Sequence, residues 1–455
     1  MILSLRRRRA NKKKTQIPES DSEMTEIVIP AHFRCPITLD LMKDPVTLST
    51  GITYDRDSIE KWIESGNRTC PVTNQVLKSF DQIPNHTIRR MIQDWCVQNR
   101  SHGVERIPTP RIPVTQYEVS SVCERIAIAT RNKDRKRCQE LVGKMKIWAK
   151  ESERNRKCMV NGGIGRVLLL SFEAFAVVFS AEELGEQESA NVRVLLEQIL
   201  SVLTWDADSL GDGLKNDTSL RCLVSFLQGN DLSARQNAVM VIKELLASDQ
   251  GRDVAVSIAE IDGGVEALVR MIREPVSPKA MKASLTAVFH MINTNNDTNS
   301  VRSRFVDLGL VSLLLENILE GEKGVSERSL RVFNVVCDSE EGREKAYDNA
   351  LTIPLVVKKI LRVSDLASEL LVSILWKLCK NAKSKEEDDN DREISAVVEA
   401  LQVGAFEKLL VVLQIGCGSK TKEKVTQLLK LFNIYRQTLN CDDSSAEFKY
   451  LKKPF

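Results

Sequence analysis

Between residues 118 and 440 apolar side chains recur at helical spacing, and almost no period-two alternation breaks the pattern. Six related apolar segments stand out: Ile164–Leu170, Leu220–Leu227, Val265–Ile272, Leu310–Leu315, Ile353–Ile360 and Phe406–Leu413. Their start-to-start spacings are 56, 45, 45, 43 and 53 residues. Stacked helical repeats of two or three helices run about 40–47 residues. Each long interval carries an acidic insert, around Glu182–Glu188 and Lys385–Glu393, which reads as a loop between helices. Four repeats open on a glycine step at Gly162-Gly163, Gly263-Gly264, Gly309 and Gly404. Glycine lets one helix end left-handed before the next leaves at a steep angle. The pattern predicts an α-solenoid of about six units over 118–440.

Residues 30–102 have a different pattern, with aromatic, proline and glycine punctuation typical of a small mixed module. Val46 to Tyr54 alternates β-formers around Ser49-Thr50-Gly51, which predicts a hairpin. Asp57 and Glu60 predict a capped helix start and Gly66 a stop, with Ile59, Trp62 and Ile63 on one face. Asn85 predicts the cap of a second helix carrying Ile88, Met91, Ile92 and Trp95 at i, i+3, i+4 and i+7. Two loops, Cys35–Leu39 and Cys70–Thr73, flank the first helix. Pro108, Pro110 and Pro113 predict a linker over 103–117. Residues 1–29 read as a disordered arm and 441–455 as a polar tail.

Composition narrows the function classes. With 42% hydrophobic and 28% charged residues the chain should fold and stay soluble, and a net charge of +3 gives no whole-chain field for nucleic acid. The basic run at 6–14 reads as a nuclear-import signal, an acidic-membrane patch or a solvated arm. No aromatic residues interleave with it, so the stacking half of a nucleic-acid signature is missing. The most apolar window, Val167–Ala181, is broken by Ser171, Glu173 and Ser180 and is too short to span a bilayer. The eleven cysteines show no paired framework and read as reduced thiols of the cytosol or nucleus. Within 30–102 the Cys and His positions are His32, Cys35, Cys70, His86 and Cys96, too few and too scattered for two tetrahedral zinc sites. No metal or other cofactor is expected, so side-chain hydrogen bonds and salt bridges must hold the loops. Cys35 and Cys70, each beside a proline (Pro36 and Pro71), fit packed hydrophobes better than thioester-forming nucleophiles.

Taken in order, Cys35-Pro36-Ile37-Thr38-Leu39, Asp44-Pro45-Val46, Thr50-Gly51-Ile52-Thr53-Tyr54-Asp55-Arg56, Trp62-Ile63 and Cys70-Pro71-Val72-Thr73 resemble a U-box, the zinc-free ubiquitin-ligase relative of the RING domain. The glycine-stepped repeats resemble armadillo repeats, although the residues alone leave another α-solenoid open. The whole chain is similar to plant U-box/armadillo E3 ubiquitin ligases of the subgroup that begins almost at the U-box and works in defence and stress signalling. The resemblance implies that the two loops and the intervening helix dock a ubiquitin-conjugating (E2) enzyme. Carried over, Ile37 and Leu39 sit in loop one, Trp62 on the helix and Pro71 in loop two; core packing is the alternative for each. Asn74 stands where some relatives carry a basic residue that locks the ubiquitin-loaded enzyme, and an amide donates hydrogen bonds without charge assistance. The implied partners are the E2, ubiquitin and substrate proteins held on an extended concave solenoid surface. No covalent intermediate on this chain is implied, and a homodimer is compatible with the reading. The expected location is the cytoplasm, with the nucleus or the plasma-membrane surface also open. A karyopherin-like binder of basic peptides would place Asn four residues after each solenoid tryptophan; Trp148, Trp205 and Trp376 are followed there by Ser152, Ser209 and Lys380.

Overall fold

A computed structural model describes residues 28–108, 113–180, 185–206, 209–210, 214, 216–293, 299–380 and 391–442. The chain forms two compact units that divide between Ile112 and Pro113.

The first unit has a three-stranded sheet of order β2-β1-β3, with β1 (Pro45–Thr47) antiparallel to both β2 (Thr53–Asp55) and β3 (Ile83–Pro84). The expected hairpin forms: Gly51 takes φ 77°, Val46 faces Tyr54 and Thr47 faces Thr53. Helix α1 (Arg56–Glu64) follows β2 directly and α2 (His86–Gln98) follows β3. Asn85 caps α2 as expected, accepting from the Ile88 N–H at 3.0 Å, and its amide also donates to Thr47 and Thr53 Oγ1 at 3.2 and 3.3 Å. One side chain therefore fixes both the helix start and the strand pair. Val46, Tyr54, Ile59, Cys70 and Ile92 form the sealed centre of the core.

Three local expectations for this unit are corrected. The Asp57–Glu60 capping box does not start α1, because the helix begins at Arg56 with Asp55 as the cap residue. Met91 is exposed and Arg89 is buried in its place, because the Arg89 guanidinium reaches the Lys43 and Pro108 carbonyls and the Asp44 carboxylate. The segment read as a linker from 103 begins as part of the fold: Ile107 is buried in the core and Val104 packs against it.

The second unit is a stack of helices. Helices α3 (Gln116–Arg131) and α4 (Arg135–Glu151) form the first layer; α5 (Glu153–Asn161), α6 (Ile164–Phe179) and α7 (Glu186–Leu203) form the second. The third holds α8 (Asp217–Gln228) and α9 (Leu232–Ala247), and the fourth α10 (Gly251–Glu260), α11 (Gly264–Arg273) and α12 (Pro278–Ile292). Then come α13 (Asn299–Asp307), α14 (Leu310–Glu320) and α15 (Lys323–Val336); α16 (Glu340–Tyr347), α17 (Thr352–Lys359) and α18 (Asp365–Cys379); and α19 (Asp391–Gln402), α20 (Ala405–Ile415) and α21 (Ser419–Asp442). Five of the six apolar segments fall in the middle helix of a three-helix layer, and the sixth, Leu220–Leu227, lies in α8, which opens its two-helix layer. The described residues make seven layers rather than six, because the opening pair α3/α4 has neither a glycine step nor a related apolar segment. The solenoid starts at Gln116, where Thr115 and Glu118 form a reciprocal capping box. Of the acidic inserts, Glu186 and Glu188 lie in the first turn of α7, where the helix dipole favours them, and Arg392 and Glu393 lie within α19; residues 182–184 and 385–390 lie outside the described residues. Helix α21 continues through Cys441 to Asp442, while residues 1–27, with the basic run, and residues 443–455 lie outside the described residues.

The closing helices α4, α7, α9, α12, α15, α18 and α21 pack on one another in turn, giving a continuous column. A polar ladder runs along part of it. Ser277 Oγ at the cap of α12 donates to Gln236 of α9 at 2.6 Å, Lys282 of α12 pairs with Glu322 at the cap of α15 at 2.6 Å, and Ser364 Oγ at the cap of α18 donates to Glu327 of α15 at 2.6 Å. Gly418 N–H, just before α21, donates to Glu369 of α18 at 3.4 Å. The glycine steps behave as expected, with φ near 80° at Gly163, Gly263, Gly309 and Gly404, each opening the helix that follows. Among the described residues no single helix is long and apolar enough to cross a membrane. At Gly309 an added methyl would meet open space, so only backbone strain penalises a side chain there. Gly309→Ala should cost about 1–2 kcal/mol, read as a lower helical melting transition by circular dichroism; an unchanged melt would show that the left-handed turn is dispensable.

Candidate functional site

Two loops of the first unit have the same construction. In loop one the Cys35 N–H donates to the Asp40 carbonyl and the Leu39 N–H to the Cys35 carbonyl, both at 2.8 Å, and Arg34 bridges Leu41. In loop two the Cys70 N–H donates to the Gln75 carbonyl at 2.8 Å and the Asn74 N–H to the Cys70 carbonyl at 2.9 Å, and Thr69 bridges Val76. Both sequences read Cys-Pro, a β-branched aliphatic, Thr, then a residue in the left-handed region: Leu39 at φ 63° and Asn74 at φ 54°. Asparagine tolerates that conformation; a leucine there carries about 1–2 kcal/mol of strain.

Adjacent residues of β2 anchor the two loops. Tyr54, fully buried, brings its hydroxyl to 3.0 Å from Cys70 Sγ and accepts from the Val72 N–H at 3.3 Å. Burial raises the Tyr54 phenol, and its bond to Cys70 raises it further. Asp55 serves loop one: its N–H lies 3.4 Å from Cys35 Sγ, and its carboxylate accepts from the Lys43 and Asp44 N–H groups at 2.8 and 2.9 Å. Burial raises the Asp55 carboxyl while those two bonds oppose the rise. Arg56, the next residue, pairs with Asp44 at 2.7 Å, and Asp44 also meets Arg89 at 3.5 Å.

Trp62 links α1 to loop two, its indole N–H donating to the Thr69 carbonyl at 2.9 Å while Asn67 donates to the Trp62 carbonyl at 3.0 Å. Ile37 and Trp62 pack half-buried against the same core, and Pro71 is half-buried in loop two. Leu39 is 67% exposed, and Asn74 is exposed. Pro36, read with the cysteines as loop packing, is exposed instead, because its ring follows the sealed Cys35 on the outer side of loop one. Cys35 and Cys70 are sealed. Burial opposes ionisation of Cys70, but hydrogen bonds from Thr50, Thr73 and Tyr54 outweigh it and bring the thiol down to about 6. Its partners are two threonines and a tyrosine, and its sulfur is closed to solvent, so no thioester chemistry is open to it. Among the described residues no three His, Cys, Asp or Glu side chains converge as metal ligands. Sequence reasoning missed Tyr54 and Asp55 as the loop anchors. Their signal was strand alternation, which sends neighbours of a strand to opposite faces.

The solenoid tryptophans each carry a cation of the chain itself. Lys144 Nζ lies 4.6 Å from the Trp148 ring centre, the Arg156 guanidinium 5.6 Å from Trp205, and Lys380 and Lys424 Nζ 5.0 and 5.4 Å from Trp376. Rings so occupied are poor receptors for the basic side chains a karyopherin-like groove would take.

Comparison with known proteins agrees with this geometry. Residues 29–101 match the U-box domain family and residues 118–452 the plant U-box protein ARM repeat region. The chain is 47% identical to U-box domain-containing protein 20 of Arabidopsis thaliana, with the whole of both chains covered, and 45% identical to U-box domain-containing protein 21, with 99% of each covered. It is 32% identical to E3 ubiquitin-protein ligase PUB22 of the same plant over 89% of this chain and 94% of that protein. Among solved structures, a designed armadillo repeat protein covers 57% of the chain at 16% identity and a TM-score of 0.42. The U-box match and the relatives named as E3 ubiquitin-protein ligases make the chain a U-box E3 ubiquitin transferase. The chain belongs to the plant U-box/armadillo-repeat family.

Hydrogen bonds carry the loops, and two measurements on residues 28–112 check this. Excess chelator should leave the far-UV spectrum unchanged; a chelator-induced unfolding transition would overturn the zinc-free reading. Tyr54→Phe should lower stability by about 1–3 kcal/mol, because it strips a buried bond from Cys70 and orphans the Val72 N–H.

Proposed function

We propose that Ile37, Leu39, Trp62 and Pro71 form the surface that docks a ubiquitin-loaded conjugating enzyme, and that the solenoid recruits the substrate protein. The carrying observation is Leu39: a bulky apolar side chain held strained and exposed, where neither packing nor backbone comfort accounts for it. Strain of this kind is retained at sites whose geometry serves binding. Docking would bring the E2 thioester beside a captured substrate, and a substrate lysine would attack it at high effective concentration. The lysine nitrogen bonds to the ubiquitin carbonyl carbon as the E2 cysteine leaves, with no covalent step on this chain. Asn74, exposed and left-handed like Leu39, would donate an uncharged hydrogen bond to the conjugate. The role in plant defence and stress signalling, and a cytoplasmic location with nuclear or membrane-surface access through residues 6–14, rest on the family resemblance and the basic run.

Leu39→Asn separates docking from packing, because asparagine relieves the left-handed strain while removing the apolar side chain. The variant should melt no lower than the parent yet discharge a loaded E2 onto free lysine about tenfold more slowly, as expected for the loss of roughly 1.5 kcal/mol of burial. Full discharge by a folded variant would remove Leu39 from the interface. Trp62→Ala and Ile37→Ala should abolish self-ubiquitination; if they do so only by unfolding the U-box, core packing is their role.

The division of labour is tested with two fragments cut at the boundary of the units. Residues 1–112, which keep Ile107, should discharge ubiquitin but leave the full chain's partners unmodified. Residues 113–455 should capture those partners without modifying them. If residues 1–112 modify them as efficiently as the whole protein, the solenoid is not the receptor.

A further inference from the structure

The last two rungs of the closing-helix column display a cationic cluster built on one tryptophan. Trp376 of α18 is half-buried, and its indole N–H donates to Gln427 of α21 at 2.7 Å. Lys380 approaches the ring from the end of α18 and Lys424 from α21. Lys424 Nζ also donates to Ser373 Oγ at 2.7 Å, which ties the two helices together. Burial holds the Lys424 ammonium below the usual lysine range, and repulsion from Lys377 adds to this. Lys377, buried one residue along from Trp376, pairs with Asp338 at 2.7 Å. Among the described residues neither Lys380 nor Lys424 lies within ion-pair range of a carboxylate.

The carboxylates whose charge reaches Lys424 are Asp338, which is paired with Lys377, and Glu423. Glu423 accepts from the Gln427 amide at 3.3 Å. The result is a tryptophan ring covered by two ammonium groups, neither of which has an ion-pair partner among the described residues. A basic segment would be repelled by both lysines and would find the ring taken. An acidic segment would meet two cations held over the ring. Lysine ammoniums are point charges suited to single carboxylates rather than bidentate clamps.

We propose that this face, formed by Ser373, Trp376 and Lys380 of α18 and its end and by Lys424 and Gln427 of α21, captures an acidic, carboxylate-rich segment of a substrate protein. The proposal rests on the reading of the solenoid as substrate receptor and gives that receptor a chemical preference.

The test is fluorescence anisotropy of the full chain with three labelled peptides of equal length: one rich in Glu and Asp, one with every acid replaced by Lys, and one with every acid replaced by its amide. The acidic peptide should bind best, and its affinity should fall with rising ionic strength. The double variant Lys380→Gln/Lys424→Gln should weaken it about tenfold, because two partly exposed cations disappear together. Melting curves verify that the double variant stays folded, and Trp376→Phe, which keeps a ring, should weaken binding less than Trp376→Ala. Equal affinity for parent and double variant, or preference for the basic peptide, would overturn the proposal. So would acidic-peptide binding that appears only after Glu386, Glu387, Asp388 and Asp389 are replaced by their amides, which would give the face to the chain's own acidic insert. If the acidic peptide fails while residues 113–455 still capture partners, the charge preference is wrong and the receptor reading stands; if those residues capture nothing, the receptor reading falls.

Discussion

The U-box depends on one property of an extended strand, that neighbouring side chains leave it on opposite faces. Tyr54 goes one way and seals loop two; Asp55 goes the other way and seals loop one. A metal would organise such loops by drawing ligands inward around a charge. Here the same positioning is reached by a buried hydroxyl, a half-buried carboxylate and two cysteine sulfurs accepting hydrogen bonds. Buried polar groups must be fully partnered to avoid a net cost, which explains why Asp55 collects two backbone N–H groups and Tyr54 both accepts and donates. Arg56 and Arg89, converging on Asp44, then brace loop one against both helices.

With the loops rigid, Leu39 can be held in a conformation that a free loop would relax. The fold supplies the strain through the two backbone bonds that close loop one, and the side chain is left facing solvent. Loop two repeats the geometry with asparagine, a residue that accepts the conformation cheaply. The two loops thus share a scaffold and differ in what they display: one an apolar side chain, the other a polar amide.

Much of this was legible in the sequence where a single residue type had a single physical use. Gly51, Asn85 and the glycine steps at 163, 263, 309 and 404 act as their chemistry requires, because left-handed turns and helix caps admit few residues. The apolar segments marked one helix in each of six layers correctly. The opening layer α3/α4 was missed as a repeat because its packing uses the same apolar types without the punctuation. Arg89 was hidden for a different reason: helical periodicity assigns burial to apolar side chains, so Met91 was preferred, and only the carbonyls of Lys43 and Pro108, distant in sequence, make a buried guanidinium tolerable. The linker was overextended because prolines mark the end of regular structure and not the end of packing. Ile107 lies in such a stretch and still fills the core.

The polar ladder along the closing helices has a direction. Ser277 and Ser364 each do two things with one hydroxyl: they cap their own helix by accepting from Ala280 or Ala367, and they donate to a side chain on the rung before. That earlier rung is always nearer the N-terminus, so it has already left the ribosome when the serine emerges. The start of each such helix is therefore specified by a surface that exists before the helix does. At these two steps the finished rung is the template for the helix that follows.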